Sequence, residues 1–152
     1  MENLSANAIT FDELNEEEKA LIRRSRAVKC GEKFAVRDGD DLAALFSDLR
    51  KKEQEHFYCV TLNAAHEVIK RHRITIGLVN QAPVHPREAF RHAVKDNAVA
   101  VAFAHNHPGG SAEPSEQDVR ATLRLVEAGE LLGIHVLDHL VMSRNGWRSA
   151  LH

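Results

Sequence analysis

The chain has 152 residues, of which 43% are hydrophobic and 28% are charged, and its formal net charge is -2. This length and composition are typical of a globular domain that is large enough to bury a core of its own. The near balance of charges excludes a basic field over the whole molecule, which nucleic-acid-binding domains often carry. No apolar run approaches the ~20 residues of a transmembrane helix, and no apolar signal core follows Met1. We therefore expect a cytoplasmic protein without a membrane partner.

The first part of the chain, residues 1–30, is predicted to be a helical extension. Its helix begins at a cap, either Thr10 or Asp12, and continues to about Lys29. Gly31 follows as the residue that ends the helix.

A second predicted helix begins at Asp40 or Asp41 and carries one apolar stripe, which we expect to face the core. The stripe consists of Leu42, Leu45, Phe46 and Leu49. Strands over residues 55–62 and from 67 to about 75 follow, and the short polar segment between them predicts an antiparallel hairpin. Gly77 is expected to mark a β-bulge or a close approach of two backbones.

The second half of the chain alternates helices and strands. A short helix is predicted from Pro86 to residue 95, an apolar strand over 98–103, and a long helix from Ser115 to a stop at Gly133. Two strands over 134–142 and 147–151, joined by an Asn-Gly turn, complete the pattern. The residues expected to form the buried face of the long helix are Val119, Leu123, Val126 and Leu131. This order predicts an α/β protein whose mixed β-sheet is sandwiched by helices.

Two histidines follow the apolar strand, and an aspartate comes after ten further residues. His105 and His107 are two positions apart, so at the end of a strand their side chains point to the same face. Ser115 is a good N-cap, which puts Asp118 in the first helical turn, where its carboxylate can return to the imidazoles. Two histidines and one carboxylate leave one corner of a tetrahedral Zn²⁺ site open, as catalytic zinc sites require.

Each of these residues also has an ordinary structural interpretation. Asp118 could serve only as the capping partner of Ser115, and His105 and His107 could be polar residues at a strand end. The combination of His-x-His with an aspartate at a helix start, behind a buried strand, favours a metal centre. Seven other histidines have no partner at ligand spacing, and we predict that they are not ligands: His56, His66, His72, His85, His92, His135 and His152.

The pattern His105-x-His107-x10-Asp118, with Ser115 three residues before the aspartate, resembles the JAMM (MPN+) metalloprotease motif. The string His-Asn-His-Pro and the segments 84–90, 96–98 and 136–141 resemble its bacterial branch, the RadC family. The resemblance covers about residues 31–152. It implies a JAMM/MPN domain with a cytidine-deaminase-like fold, preceded by the extension 1–30.

The resemblance also implies residues for catalysis. JAMM proteins carry a glutamate as general acid/base at the start of an early strand, and the matching residue is Glu55, with Glu53 and Glu67 as alternatives. A plain exposed strand-end residue is the structural alternative for Glu55. Ser115 is implied to help hold a developing oxyanion in addition to capping its helix.

Three further polar residues lie near the motif or in a neighbouring strand. Asn106 is expected to point away from the two histidines and to tie the loop. Asp138 and His139 lie in the middle of a predicted strand, and we interpret them as a hydrogen-bonded pair in the core. Support of the metal ligands is the other interpretation of this pair.

The resemblance implies a Zn²⁺-dependent hydrolase that cleaves a peptide or isopeptide bond in a peptide or protein substrate. The alternative is a DNA repair-associated protein that acts on or near nucleic acid, with an accessory or vestigial metal site. The compact basic run over residues 70–73 is interpreted as a solvated strand face, and residues 1–30 lack the helix-hairpin-helix pattern of the long RadC form, so strong DNA binding is not expected. Zinc nucleobase deaminase chemistry is excluded because the chain has no Cys-x-x-Cys. The sequence does not indicate an oligomeric state.

Overall fold

The computed structural model describes residues 33–77 and 84–152, together with Glu16 and Lys19. Glu16 and Lys19 are helical, and the Lys19 ammonium nitrogen lies 3.4 Å from the Glu16 carboxylate. The rest of the predicted amino-terminal helix, with its caps and with Gly31, lies outside the described residues.

Residues 33–77 and 84–152 form three α-helices, one 3-10 helix and five strands. In chain order these are α1 (Gly39–Leu45), the 3-10 helix (Ser47–Lys51), β1 (His56–Leu62), β2 (Val68–Ile76), α2 (Pro86–Lys95), β3 (Ala100–Asn106), α3 (Glu116–Leu132), β4 (His135–Ser143) and β5 (Gly146–Ser149).

The five strands form one mixed sheet in the order β2-β1-β3-β4-β5. β1 pairs antiparallel with β2 and with β3, β3 and β4 run parallel, and β4 and β5 form an antiparallel hairpin. A parallel pair needs a long crossover connection, and α3 provides it between β3 and β4. The predicted α/β fold with a mixed sheet and flanking helices is confirmed.

The sheet carries a hydrophobic layer on each face. The alternating alanines of β3 face α1, whereas Val101 and Phe103 pack with α2 and α3. Every residue of β3 is buried, as expected for the central strand of a sheet covered on both sides. Because side chains alternate along a strand, His105 projects on the same face as Phe103, toward α2 and α3.

Helix α1, which corresponds to the second helix of the sequence prediction, starts earlier than predicted. Its N-cap is Asp38, whose carboxylate accepts a hydrogen bond from the backbone N–H of Asp41 at 3.0 Å. Asp41 is itself buried, and its carboxylate lies 3.2 Å from Nε of Arg37. Asp41 therefore secures the segment before the helix. The predicted apolar stripe is confirmed, since Leu42, Leu45, Phe46 and Leu49 are all buried.

Gly77 does not mark a bulge or a close approach, contrary to the prediction. The irregularities of the β1–β2 ladder lie elsewhere, between Phe57 and Tyr58 and between Thr61 and Leu62. Gly77 follows β2 with a φ of 77°, and a Cβ at this position would have no neighbour within 4 Å. Its N–H donates to the backbone carbonyl of Glu55 at 2.7 Å. The glycine thus provides the left-handed backbone conformation that ends the strand.

The buried face of α3 also differs from the predicted one. Val119, Leu123 and Leu131 are 38%, 52% and 90% exposed, so three of the four residues expected in the core face outward. Val126 is partly buried against the α2 side of the core, as predicted. The fully buried residues of this helix are Thr122, Leu125 and Gly129.

Polar contacts and close packing explain this orientation of α3. The Thr122 hydroxyl lies 2.6 Å from the imidazole of His139 in the sheet, which fixes the rotation of the helix about its axis. A Cβ at Gly129 would lie 2.4 Å from the carbonyl oxygen of Ile134, so only glycine allows this approach. The apolar pattern of the sequence contains neither signal. No described helix is both long enough and apolar enough to cross a bilayer.

Candidate metal centre

His105 and His107 lie where β3 leaves the sheet. The strand extends beyond the predicted residue 103 to Asn106, so His105 is a buried strand residue. His107 comes directly after the strand, and its backbone N–H donates to the carbonyl of Met142 at 2.8 Å. The Nε2 atoms of the two rings are 3.0 Å apart. The predicted side-by-side arrangement of the imidazoles is confirmed.

Asp118 reaches the two histidines from the first turn of α3. The Ser115 hydroxyl accepts a hydrogen bond from the Asp118 N–H at 3.0 Å, and the Asp118 carboxylate accepts one from the Ser115 N–H at 2.8 Å. This capping box fixes the carboxylate at the helix start. Oδ1 of Asp118 lies 3.3 Å from Nε2 of His105, and Oδ2 lies 3.1 Å from Nε2 of His107.

The three side chains have the spacing and chemistry of metal ligands. Zn–N and Zn–O bonds of about 2.0–2.1 Å in a tetrahedral site put neighbouring ligand atoms about 3.3 Å apart. Nδ1 of His107 donates to the carbonyl of Ser111 at 3.1 Å, so the neutral ring keeps a lone pair on Nε2. Among residues 33–77 and 84–152, the group of His105, His107 and Asp118 has ligand atoms within 4.8 Å of one another and could hold a metal ion.

The electrostatics of the cluster favour an ionised aspartate. Burial alone would raise the pKa of Asp118, but the neighbouring imidazoles of His105 and His107 outweigh it and hold this pKa well below its usual range. The hydrogen bond with Asp118 raises the pKa of His107 against the opposing effect of burial.

Glu55 directly precedes β1, the antiparallel neighbour of β3. Phe57 pairs with His105 in the ladder, and the two rings stack with their centroids 6.2 Å apart. Since Glu55 is two residues before Phe57, it projects on the same face of the sheet. Burial raises the pKa of Glu55, and the charges of His105 and His107 partly offset this rise. The structure thus brings Glu55 close to the candidate ligands His105, His107 and Asp118.

The two alternative glutamates lie in different surroundings. Glu67 is beyond the far end of β1, where the Asn63 amide donates to it at 2.8 Å and the Lys33 ammonium approaches to 3.7 Å. Glu53 is exposed in the bend before β1. The pKa of Glu55 responds to the charges of His105, His107 and Asp118.

A family model of the RadC-like JAB domain matches residues 36–151 of the chain. The chain belongs to this family. This RadC-like domain carries the histidines, Asp118 and Glu55 within the matched region, whereas the whole of the predicted extension 1–30 precedes that region.

Curated relatives of this RadC-like domain carry the name UPF0758 protein. A UPF0758 protein from Bacillus licheniformis is 42% identical over 123 residues, which are 80% of this chain and 55% of that protein. One from Desulforamulus reducens is 40% identical over 130 residues, 85% of this chain and 57% of the relative. One from Methanospirillum hungatei is 51% identical over 98 residues, 64% of this chain and 44% of the relative. The chain spans about half the length of the curated relatives it matches.

Ser115 and Asn106 of the RadC-like domain stabilise the backbone around the cluster. Ser115 is exposed and caps α3, as the capping box shows. The buried Asn106 amide accepts from the His56 N–H at 2.7 Å and donates to the Gln54 carbonyl at 2.9 Å. The prediction that Asn106 ties a loop is confirmed, and the segment that it ties contains Glu55.

Asp138 and His139 are buried and hydrogen-bonded to each other, as predicted, but through the backbone of His139 and not through its imidazole. The Asp138 carboxylate accepts from the backbone N–H of His139 at 2.7 Å and from the Ser149 hydroxyl at 2.6 Å. The His139 imidazole points away from it: Nε2 lies 2.8 Å from Nδ1 of His105, and Nδ1 lies 2.6 Å from Oγ1 of Thr122. His139 therefore contacts a candidate metal ligand directly.

Sequence reasoning missed Thr122 and treated the contact of His139 as the less favoured alternative. One signal was available for Thr122, because it lies four residues after Asp118 and so shares a helix face with it. The contact of His139 depends on the parallel pairing of β4 with β3, in which His139 is opposite Phe103. No local pattern in the sequence reports that register.

Proposed function

We propose that this RadC-like domain is a zinc-dependent hydrolase that cleaves a peptide or isopeptide bond. The observation that carries the proposal is the convergence of two histidines and one aspartate on the face of the sheet to which Glu55 also projects. The resemblance to JAMM metalloproteases supplies the bond type, since the names of the relatives state no activity.

His105, His107 and Asp118 would hold the zinc ion through two nitrogens and one oxygen, which leaves one tetrahedral position for another ligand. When bound, the ion supplies a Lewis acid that polarises a carbonyl group and makes a water molecule nucleophilic at neutral pH.

Glu55 would carry the proton during the reaction. Burial raises the pKa of its carboxyl group toward neutrality, which suits a general base that must later act as an acid. The carboxylate accepts a proton from the attacking water and gives it to the leaving nitrogen, so that the C–N bond breaks and an amine and a carboxylate form. Asn106 positions this glutamate by bonding the backbone at residues 54 and 56.

Ser115 would help to stabilise the charge that develops on the carbonyl oxygen. Its Oγ accepts a hydrogen bond from the Asp118 N–H, so its own hydroxyl hydrogen can donate in another direction. Ser115 is exposed at the mouth of the cluster, where substrate can reach it. One such donor typically contributes about 10²-fold or more to the rate of an acyl transfer.

The proposal is tested by metal analysis combined with a peptide-library cleavage assay, with and without a chelator. We expect the wild-type protein to bind one zinc ion, and Asp118→Ala and His105→Ala to lose stoichiometric zinc. Glu55→Gln should keep zinc and lose turnover by about 10²-fold or more, because general base catalysis contributes at least that much. Glu53→Gln, which alters an exposed glutamate two residues away, is the matched control and should retain turnover. Full activity of Glu55→Gln would remove this residue from the mechanism, and a wild type that binds no zinc would refute the proposal.

The charge distribution of the basic run over residues 70–73 favours the hydrolase over a nucleic-acid-binding function. The Arg71 guanidinium makes two contacts of 2.7 and 2.8 Å with the Asp48 carboxylate and stacks over the Tyr58 ring. His72 lies 2.6 Å from Asp96. Two side chains of the run are thus bonded to carboxylates within the protein. Steeply salt-dependent retardation of DNA in a gel, together with no peptidase activity, would favour the nucleic-acid alternative.

A further inference from the structure

We propose that Thr122 and His139 form a hydrogen-bonded chain that keeps the ring hydrogen of His105 on Nδ1 and so leaves Nε2 bare for a metal ion. Both are positioning residues, since they act through His105 and do not touch the metal site themselves. The inference rests on the proposed metal function, and it adds two residues to it that the family motif does not contain.

The hydrogen-bonded chain starts at the contact between the Thr122 hydroxyl and a backbone carbonyl, where only the hydroxyl can supply a hydrogen. Oγ1 of Thr122 lies 2.7 Å from the backbone carbonyl oxygen of Asp118, one turn earlier in α3. A carbonyl oxygen has no hydrogen, so the Thr122 hydroxyl must donate to it, because two bare oxygens at this distance would repel each other. The Thr122 oxygen is then free only to accept from its other neighbour.

The direction of the remaining hydrogen bonds follows from this one. Nδ1 of His139 lies 2.6 Å from Oγ1 of Thr122 and must supply the hydrogen of that contact. A neutral imidazole carries one ring hydrogen, so Nε2 of His139 is an acceptor. Nδ1 of His105, 2.8 Å away, therefore donates to it. Nε2 of His105 is left without a hydrogen and faces His107 at 3.0 Å and Asp118 at 3.3 Å.

Burial protects the chain from competing hydrogen bonds with water. Thr122 is 0% exposed, His139 is 1% exposed and His105 is 2% exposed. Phe57 closes the site on one side, with its ring centroid 5.2 Å from that of His139 and 6.2 Å from that of His105. Burial and the neighbouring His105 also lower the pKa of His139, which is consistent with a neutral ring.

The hydrogen-bonded chain also connects two of the candidate ligands, His105 and Asp118, through one turn of α3. Asp118 contributes its carboxylate to the cluster and its backbone carbonyl to the Thr122 hydroxyl. The same turn of α3 therefore supplies one ligand directly and orients a second ligand, His105, through His139. Hydrogen-bonded partners of this kind typically affect metal affinity by 10- to 100-fold.

Zinc affinity measured by competition with a chromogenic chelator tests the role of Thr122. Thr122→Val removes the acceptor with little change in shape, and we expect zinc to bind about 10- to 100-fold more weakly. Thr122→Ser keeps the hydroxyl and should restore the affinity. Thr61→Val is the matched control, because it removes another buried threonine hydroxyl, bonded to Asp96 at 2.7 Å at the far end of β1. Wild-type affinity in Thr122→Val would overturn the proposal, as would an equal loss in Thr61→Val.

Nitrogen-15 NMR of the metal-free protein at mildly alkaline pH reads the tautomer of His105 without any assay of activity. We expect a protonated Nδ1 and a bare Nε2 in the wild type and in Thr122→Ser, and a shift toward the opposite tautomer in Thr122→Val. A wild-type His105 that carries its hydrogen on Nε2 would overturn the proposal even if the variants fail to fold. If the wild type shows the expected tautomer but binds no zinc, the proposed metal function fails and the hydrogen-bond assignment stands.

Discussion

Asp118 combines two structural tasks in one carboxylate. It closes the capping box with Ser115, and it lies within 3.3 Å of both candidate histidine ligands. A free carboxylate at the start of a helix is already stabilised by the helix dipole. The low pKa that the neighbouring His105 and His107 impose on Asp118 means that no proton has to leave its carboxyl group before a metal ion binds at neutral pH.

The pKa of Glu55 is raised in the folded protein, whereas that of Asp118 is lowered, so the ionised form of Glu55 reduces the stability of the fold. Burial raises its pKa in the folded state, so its ionised form is less stable there than in the unfolded chain. A group with a raised folded-state pKa contributes stability that is fully present below its unfolded pKa and is lost as the pH rises through the folded value. The ionised glutamate therefore destabilises the metal-free protein at neutral pH.

We expect metal-free Glu55→Gln to unfold at a higher temperature than the wild type at pH about 7. The difference should shrink as the pH falls below about 4, where the glutamate becomes protonated in the unfolded state as well as in the folded state. Thermal unfolding monitored by circular dichroism across this pH range checks the prediction. Glu53→Gln should show no such pH-dependent gain, since Glu53 is exposed. A gain for Glu55→Gln that is constant with pH would contradict the assigned cause.

At the scale of a single element, α3 shows how polar contacts override an apolar pattern. Its rotation is fixed by Thr122 at the sheet and by the close approach at Gly129. Leu125 lies on the buried face with them and is 1% exposed, whereas Leu131 is 90% exposed. Two leucines of one helix thus differ almost completely in their contribution to the core.

Leu125→Ala is expected to destabilise the protein by about 2–5 kcal/mol, because it removes buried methyl groups and leaves a cavity. Leu131→Ala should change the free energy of unfolding by less than about 0.5 kcal/mol, as typical surface substitutions do. Urea denaturation of both variants measures the difference. Equal effects would contradict the orientation of α3 in the structure, and a larger effect of Leu131→Ala would mean that α3 is oriented as its hydrophobic periodicity predicts.

The parts of this molecule that depend on local rules were predictable from the sequence. Alternation along a strand placed His105 and His107 together, and the capping pattern placed Asp118 at a helix start. The contacts of His139 were not predictable, since they join residues 34 positions apart through a parallel register. The face of α3 was predicted wrongly because the polar anchor Thr122 carries no signal in a hydrophobicity pattern.

At the scale of the whole molecule, the residues of the candidate metal site come from both the sheet and the helix that crosses it. His105 and His107 come from the end of β3, Asp118 comes from α3, and Glu55 precedes β1. A bound ion would connect the sheet to this helix, so binding and folding must be linked. Any ligand that binds only the folded state stabilises it by an amount set by its concentration and dissociation constant.

We expect zinc at about 100 times its dissociation constant to stabilise the wild type by about 2.7 kcal/mol and to raise its Tm by about 5–10 °C. A chelator should reverse the shift. His107→Ala is the informative control, because the His107 side chain lies at the rim of the site and is 24% exposed. Removing its ring leaves the capping box of α3 intact. Differential scanning calorimetry with and without zinc measures the shift. An equal shift in His107→Ala would place the bound zinc elsewhere.

The double task of Asp118 bears on how this fold changes during evolution. In a diverged copy that no longer needs its chemistry, Glu55 is the residue whose loss improves stability, and random drift should remove it first. Asp118 would persist, because the first turn of α3 still requires it. Retention of the aspartate is therefore a poor marker of a working enzyme among distant copies, and retention of the glutamate is a good one.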